Sequence, residues 1–267
     1  MSSTAVQTED SEASNSTTVQ FAIQQQHLKA FVSNARTLVD EARIRVTEEG
    51  LTLRAVDPAN VGMIDERLLK EAFKSYHPGN GEAILGVDLE RVADVLGMGG
   101  ATDIVSVELD AETRKPHFNV DGLEYTLALI DPDSIRQEPD LPDLDLPAIF
   151  DVPGSEIIRA VKAADMVADH IRFHYDEDAG EAVIEADGDT DSVEVVVNPD
   201  RGLEVIESGE ADSLFSVDYA KDISKAFTSS STVCVELGGE FPVKFHFEYA
   251  DGLGSVTNLL APRVSSS

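Results

Sequence analysis

The chain has 267 residues and carries 51 Asp plus Glu against 20 Lys plus Arg, a formal net charge of −31. The length suits two domains, each able to bury its own core, the charge argues against a protein held on nucleic acid by a broadly basic surface, and the lone Cys234 excludes a disulfide within the chain. No apolar run is long enough to cross a bilayer and the first residues lack a charged-then-apolar signal, so a soluble protein of the cytoplasm is predicted.

Residues 1–17 are polar and unpatterned and are predicted to form a disordered tail. The first domain, 18–130, opens with a strand near 19–23. A helix over 25–40 follows, with apolar positions at Leu28, Phe31, Val32, Ala35, Leu38 and Val39 in helical spacing. Strands are predicted at 42–47, 51–56 and 61–69, the first two joined by a turn at Glu49-Gly50. The stretch 70–82, with Pro78-Gly79-Asn80-Gly81, reads as a loop. A short helix over 88–97 stops at Gly97, and strands near 103–109, 115–120 and 123–130 complete the domain. Residues 131–147 hold Pro132, Pro139, Pro142 and Pro147 among many acids, an extended connector that also carries Leu141 and Leu144. The second domain, 148–264, repeats the plan with helices over 154–168 and 217–227.

The repetition is visible in the residues. Leu28–Leu38 and Ile157–Val167 share a helical pattern at an offset of 157 − 28 = 129; Val87-Asp88-Leu89 and Val217-Asp218-Tyr219 at 217 − 87 = 130; Val105–Leu109 and Val233–Leu237 at 233 − 105 = 128. Three blocks in one order at nearly one spacing mean two copies of one unit. Each copy has two helices and many short strands, an α+β domain with its helices on one face of its sheet.

Charge this strong destabilises a compact chain in dilute buffer by self-repulsion. At roughly 1 M salt the Debye length falls to about 3 Å and screens most of it. The acids are spread along apolar-patterned segments, which reads as a globular protein adapted to a salty cytoplasm; the competing reading is an acidic, chaperone-like protein-interaction module. No nucleophile elbow, phosphate-binding loop or paired-cysteine zinc pattern occurs. His170 and His174, the two histidines closest in sequence, fall in a strand where residues four apart need not share a metal. Neither an enzyme nor a bound cofactor or metal is expected.

The loop Val56-Asp57-Pro58-Ala59-Asn60-Val61, the acidic connector, the doubled domain and the ending Leu260-Ala261-Pro262-Arg263-Val264 together resemble a sliding clamp of the proliferating cell nuclear antigen type, most like the archaeal members, over about residues 19–264. The resemblance implies a head-to-tail homotrimer closed into a six-domain ring, helices lining the hole and antiparallel sheets outside. Such a ring encircles double-stranded DNA without reading sequence and tethers DNA polymerase, the clamp loader, flap endonuclease and DNA ligase. It has no catalytic activity.

A lining that tolerates phosphates needs cations on the helices. The four predicted helices hold seven, Lys29, Arg36, Arg91, Arg159, Lys162, Lys221 and Lys225, against eight acids; the remainder of the chain holds 20 − 7 = 13 against 51 − 8 = 43. The alternative is that helices simply carry balanced charge. Ring closure needs two surfaces that fit each other, and unpaired strand edges are candidates: Lys115, Pro116, His117, Phe118, Asn119 and Val120 in the first domain, with Pro116 suited to an edge, and Ser192, Val193, Glu194, Val195, Val196 and Val197 in the second. These strands are also readable as plain solvent-capped edges. The resemblance further implies an apolar groove under the connector that takes a short peptide with one glutamine and a one-turn helix of apolar anchors. Carried over by position, its residues are Val56, Asn60, Val61, Met63, Leu141, Pro142, Pro242, Leu259, Ala261 and Pro262; Asn60 and Leu259 stand where relatives often have histidine and tyrosine.

Overall fold

The computed structural model describes residues 19–110 and 113–263; the tail expected at 1–17 and Val264 lie outside them. The first half runs β1 (Gln20–Gln24), α1 (Gln25–Ala35), β2 (Glu41–Thr47), β3 (Gly50–Val56), β4 (Gly62–Leu69), β5 (Phe73–His77), β6 (Ala83–Asp88), α2 (Leu89–Leu96), β7 (Ile104–Leu109), β8 (Pro116–Val120) and β9 (Leu123–Thr126). The second runs β10 (Ala148–Pro153), α3 (Gly154–Ala164), β11 (His170–Asp176), β12 (Glu181–Asp187), β13 (Ser192–Val197), β14 (Glu204–Glu207), β15 (Ala211–Ser216), α4 (Val217–Ser224), β16 (Thr232–Leu237), β17 (Val243–Tyr249) and β18 (Gly254–Leu260). The order of elements is the same in both halves.

Alternation sets the strands. In β2, Ala42, Ile44 and Val46 are buried while Arg43, Arg45 and Thr47 face outward. The helices bury one stripe each: Leu28, Phe31, Val32 and Ala35 on α1, and Ile157, Ala160, Val161 and Ala164 on α3. Full burial of a side chain such as Phe31 contributes about 1.5–3 kcal/mol. α1 packs on α2, and α3 on α4.

Three sheets result. Their strand orders are β5-β1-β7-β8-β9, β13-β12-β11-β15, and a nine-stranded β14-β10-β16-β17-β18-β4-β3-β2-β6 that crosses from one half to the other. The crossing is the antiparallel pair β18–β4, from Gly254 opposite Leu68 to Leu260 opposite Gly62. Laid one on the other, the halves match β9 with β18 and β13 with β4. The pair that joins the halves is thus β18 with β4, while their counterparts β9 and β13 each end a sheet without a neighbour.

Several expectations are corrected. The helices stop early: α1 at Ala35, α3 at Ala164 and α4 at Ser224. After α1 the amides of Thr37 and Leu38 donate to the carbonyls three residues back, and Thr37 Oγ1 donates to Asn34 O at 2.7 Å. This tightening turn releases the chain into β2 while Leu38 and Val39 still pack on the core. The predicted loop 70–82 contains a 3₁₀ turn (Lys70–Ala72) and then β5, whose Phe73 and Tyr76 pack on Phe21 with ring centroids 5.3 and 6.3 Å away. Strand β6, which pairs with β2, is an addition to the predicted elements. The segment 115–120 is not an edge. Asp121 and Gly122, at φ 47° and 81°, make a two-residue turn that folds β9 onto β8, so β8 lies between β7 and β9. Pro116 is tolerated as the first residue of its strand.

Candidate functional site

All seven candidate cations are exposed. Lys29, Arg91, Arg159, Lys162 and Lys221 stand on the helices, and Arg36 and Lys225 cap the ends of α1 and α4. Each lies off the buried stripe of its helix. Four have an acid beside them: Arg91 with Asp88 at 3.4 Å, Arg159 with Glu156 at 2.8 Å, Lys221 with Asp165 at 2.6 Å and Lys225 with Asp222 at 2.5 Å. Lys29, Arg36 and Lys162 make no ion pair among the described residues, and α1 contains no acid at all. With the observed bounds the helices hold five cations and five acids, Glu90, Asp94, Glu156, Asp218 and Asp222. Helices of balanced charge in a chain of −31 leave this face far less repulsive to phosphate than the rest.

The groove residues are brought together in part. On the outward face of the nine-stranded sheet, Val56, Met63 and Leu259 form one row across β3, β4 and β18. Met63 and Leu259 are buried there and Val56 half-buried. The Ala261 amide donates to Val61 O at 2.8 Å, which brings the C-terminal run, with Pro262, against the β3–β4 loop. Pro242 directly precedes β17, where Val243 faces Leu260. Leu141 and Pro142 stand exposed on the connector, and no hydrogen bond among the described residues ties their side chains or backbone to the row.

Sequence reading missed what holds this loop. Asp57, only 3% exposed, accepts from the amides of Ala59 (2.8 Å), Val61 (2.6 Å) and Gly62 (2.7 Å), and from the Tyr219 hydroxyl (2.6 Å) on α4. Burial works against the charged carboxylate, but the Tyr219 hydroxyl and the three amides outweigh it and hold the Asp57 carboxyl below its ordinary range. The same bond, with burial, pushes the Tyr219 hydroxyl up to about 12. From the connector, Arg136 donates to Asp57 O at 2.9 Å and to Asn60 Oδ1. Asn60 sits at φ 60°, a conformation Asn accepts. An Asp-Pro pair in a tight loop signals an Asx turn; nothing in the sequence pointed to Tyr219 or Arg136.

At the sheet ends, β13 (Ser192, Val193, Glu194, Val195, Val196, Val197) is an edge as expected, paired only with β12. The strand beyond β8 that ends its sheet is β9, each of whose four residues is exposed, with Leu123 at 40% and Tyr125 at 37%. Of the segment expected there, Phe118 and Val120 are buried, and His117 Nδ1 lies 2.8 Å from Thr126 Oγ1 on β9.

A doubled α+β unit that turns cations outward from four helices, and leaves at sheet ends the two strands whose counterparts β18 and β4 join its halves, defines a DNA-clamp fold. Residues 20–122 match the family described as proliferating cell nuclear antigen, N-terminal domain. The chain superposes on the solved structure "C-terminal region of FEN-1 bound to A. fulgidus PCNA" with a TM-score of 0.85 at 36% identity, covering 93% of this chain and 100% of that one. It is 53% identical to the DNA polymerase sliding clamp of Natronomonas pharaonis over 90% of this chain and 96% of that one. The corresponding protein of Haloarcula marismortui is 52% identical at the same coverage. The chain belongs to the DNA polymerase sliding clamp family, and its function is that of a DNA sliding clamp. The relatives from salt-loving archaea accord with the acidic composition, and the chaperone-like reading falls away.

Proposed function

We propose that three copies of this chain close head to tail into a ring, β9 of one copy pairing with β13 of the next. The observation that carries this is the in-chain pair β18–β4. It joins the counterparts of β9 and β13, so the open edges are already shaped as a matching pair for the same antiparallel join. Three is the number the resemblance implies, giving six domains. The helices then line the hole. Electrostatic attachment to DNA falls by roughly a thousand-fold or more between ~50 and ~200 mM salt for several phosphate contacts, so in a salty cytoplasm the ring stays on DNA by enclosure, and the cations only soften repulsion during sliding.

The outward apolar row Val56–Met63–Leu259, with Val61, Ala261, Pro262, Asn60, Pro242 and the connector's Leu141 and Pro142, serves as the seat for partner peptides of DNA polymerase, the clamp loader, flap endonuclease and DNA ligase. A relative in complex with the C-terminal region of FEN-1 supports this mode. The protein itself performs no chemistry and works as a tether that lengthens polymerase runs.

Light scattering in about 2–3 M KCl tests the ring. A mass of three chains is expected, weakening as salt is diluted and self-repulsion returns. A monomer at every protein concentration in high salt refutes closure, and greater stability in dilute buffer refutes the salt argument.

A further inference from the structure

The outward positions of β2, β3, β4 and β18 hold Arg43, Arg45, Arg54 and Arg67 against only Glu41 and Asp65. In a chain with 51 acids and 20 bases, this concentration of arginine on one sheet face is unexpected. The register orders the face in rows across β3, β4 and β18. The apolar row Val56–Met63–Leu259 is followed by Arg54–Asp65–Thr257 and then by Thr52–Arg67–Ser255, with Arg45 beside Thr52.

The connector shows what these arginines bind. It lays Asp133 on Arg43 at 3.5 Å and Glu138 on Arg45 at 2.8 Å, and Glu82 joins Arg45 from the other side. Past Glu138 the pattern stops. A cleft of about 360 Å³ lies there, lined by Arg45, Arg54, Arg67, Thr52, Asp65, Glu138 and Glu49. Asp65 is taken by Arg54 at 3.2 Å, and Glu138 by Arg45. Arg54 keeps a buried Nε with no acceptor, and Arg67 is exposed without an ion pair among the described residues. The Arg67 guanidinium thus lines a cleft in which two of the three carboxylates, Asp65 and Glu138, are committed, while Glu49 at its rim is exposed and makes no ion pair among the described residues.

We propose that this cleft is a second docking point for the peptides that enter the apolar row, and that it takes the carboxylate of an Asp or Glu about four residues from their apolar anchors. The proposal rests on the groove reading above. The spacing follows from the register: two rows are four strand residues, roughly 13 Å at ~3.3 Å per residue, and an extended peptide advances by about the same step. The chemistry follows from the fork of the guanidinium, which meets carboxylates in two parallel bonds. In molar salt the rest of the clamp's field is screened beyond about 3 Å, so only a contact pair of this kind distinguishes an acidic flank from a basic one.

The test is fluorescence anisotropy on the full chain in about 2 M KCl. The labelled probes share one core, a glutamine followed by aliphatic and aromatic anchors. One has no flank; the others carry Asp-Glu or Lys-Lys four residues before the first anchor or four after the last. At one of the two placements the acidic peptide is expected to bind about three- to fivefold tighter than its basic twin. Arg67→Gln abolishes that preference and Arg67→Glu reverses it, while the unflanked peptide binds all three proteins alike. No preference at either placement, or a preference that survives Arg67→Glu, overturns the proposal. If the unflanked peptide does not bind the natural protein, the groove reading is wrong and the cleft proposal goes with it.

Discussion

The Tyr219 hydroxyl donates to Asp57 Oδ2 at 2.6 Å, and so ties helix α4 of the second half to the β3–β4 loop of the first. The bond ends on a carboxylate that already organises three amides of that loop. Tyr219→Phe removes one charge-assisted bond and leaves the ring of the side chain in place. A loss of about 1.5–3 kcal/mol is expected in urea unfolding at fixed high salt, together with weaker binding of a groove peptide. Unchanged peptide affinity would show that the loop keeps its shape without α4.

Asp57 also predicts an acid dependence. Its folded pKa is depressed, so its contribution is complete above the ordinary carboxylate range near 4 and is lost as pH falls through the lowered folded value. Asp57→Asn should therefore be less stable than the natural protein at pH 7, with the gap closing in strong acid. Thermal midpoints at several pH values decide it; a gap independent of pH would remove the charge from the explanation.

Glu66 predicts the opposite sign. It lies fully buried on β4 opposite Val256 of β18, at the join between the halves, with one oxygen accepting from Asn34 Nδ2 at 2.8 Å. Burial raises its carboxyl well above the ordinary value. As pH rises from about 4, the unfolded chain releases this proton before the folded one does, so stability is drawn down progressively up to the raised folded value. Glu66→Gln, which keeps the acceptor for Asn34, should gain on the natural protein between about pH 4 and 8. A variant that is less stable at pH 8 would contradict this.

For the ring, Tyr125→Glu on β9 or Val196→Glu on β13 should turn trimers into monomers by light scattering with unchanged circular dichroism. Ile206→Glu on β14, the edge strand at one end of the nine-stranded sheet, should leave assembly intact. Equal effects at all three edges would mean general destabilisation rather than a specific join.

For the lining, replacing Lys29, Arg36 and Lys162 by alanine should matter more than replacing Lys225, whose charge Asp222 already holds at 2.5 Å. The slope of log affinity for duplex DNA against log salt should fall by about 0.9 for each contact removed. Polymerase run length at low salt is the second readout, and insensitivity of both to the triple change would place these cations away from DNA.

Much of the architecture was legible because apolar spacing is local. The helical stripes and the alternation in β2 and β3 can be read off neighbouring residues, and the exposure of all seven cations follows from the same stripes. What failed was tertiary. β5 exposes Lys74, Ser75 and His77 and lies beside a Pro-Gly-Asn-Gly run, so its pattern is that of a loop until Phe21 is placed against it. The segment 115–120 reads as an edge from its own residues, although Asp121-Gly122 is a hairpin signal, one that covers β8 with β9. The link from Asp57 to Tyr219 spans 162 positions and has no local trace. The arginine rows become visible only once register sets three strands side by side.

The seam inside the chain spans seven residue pairs, whereas β9 offers a strand of only four residues. If the join between copies copies the seam, it is the shorter zipper of the two. A loading machine that prises the circle apart would then find its gate between molecules, and the two halves of each molecule would swing as one stiff arc.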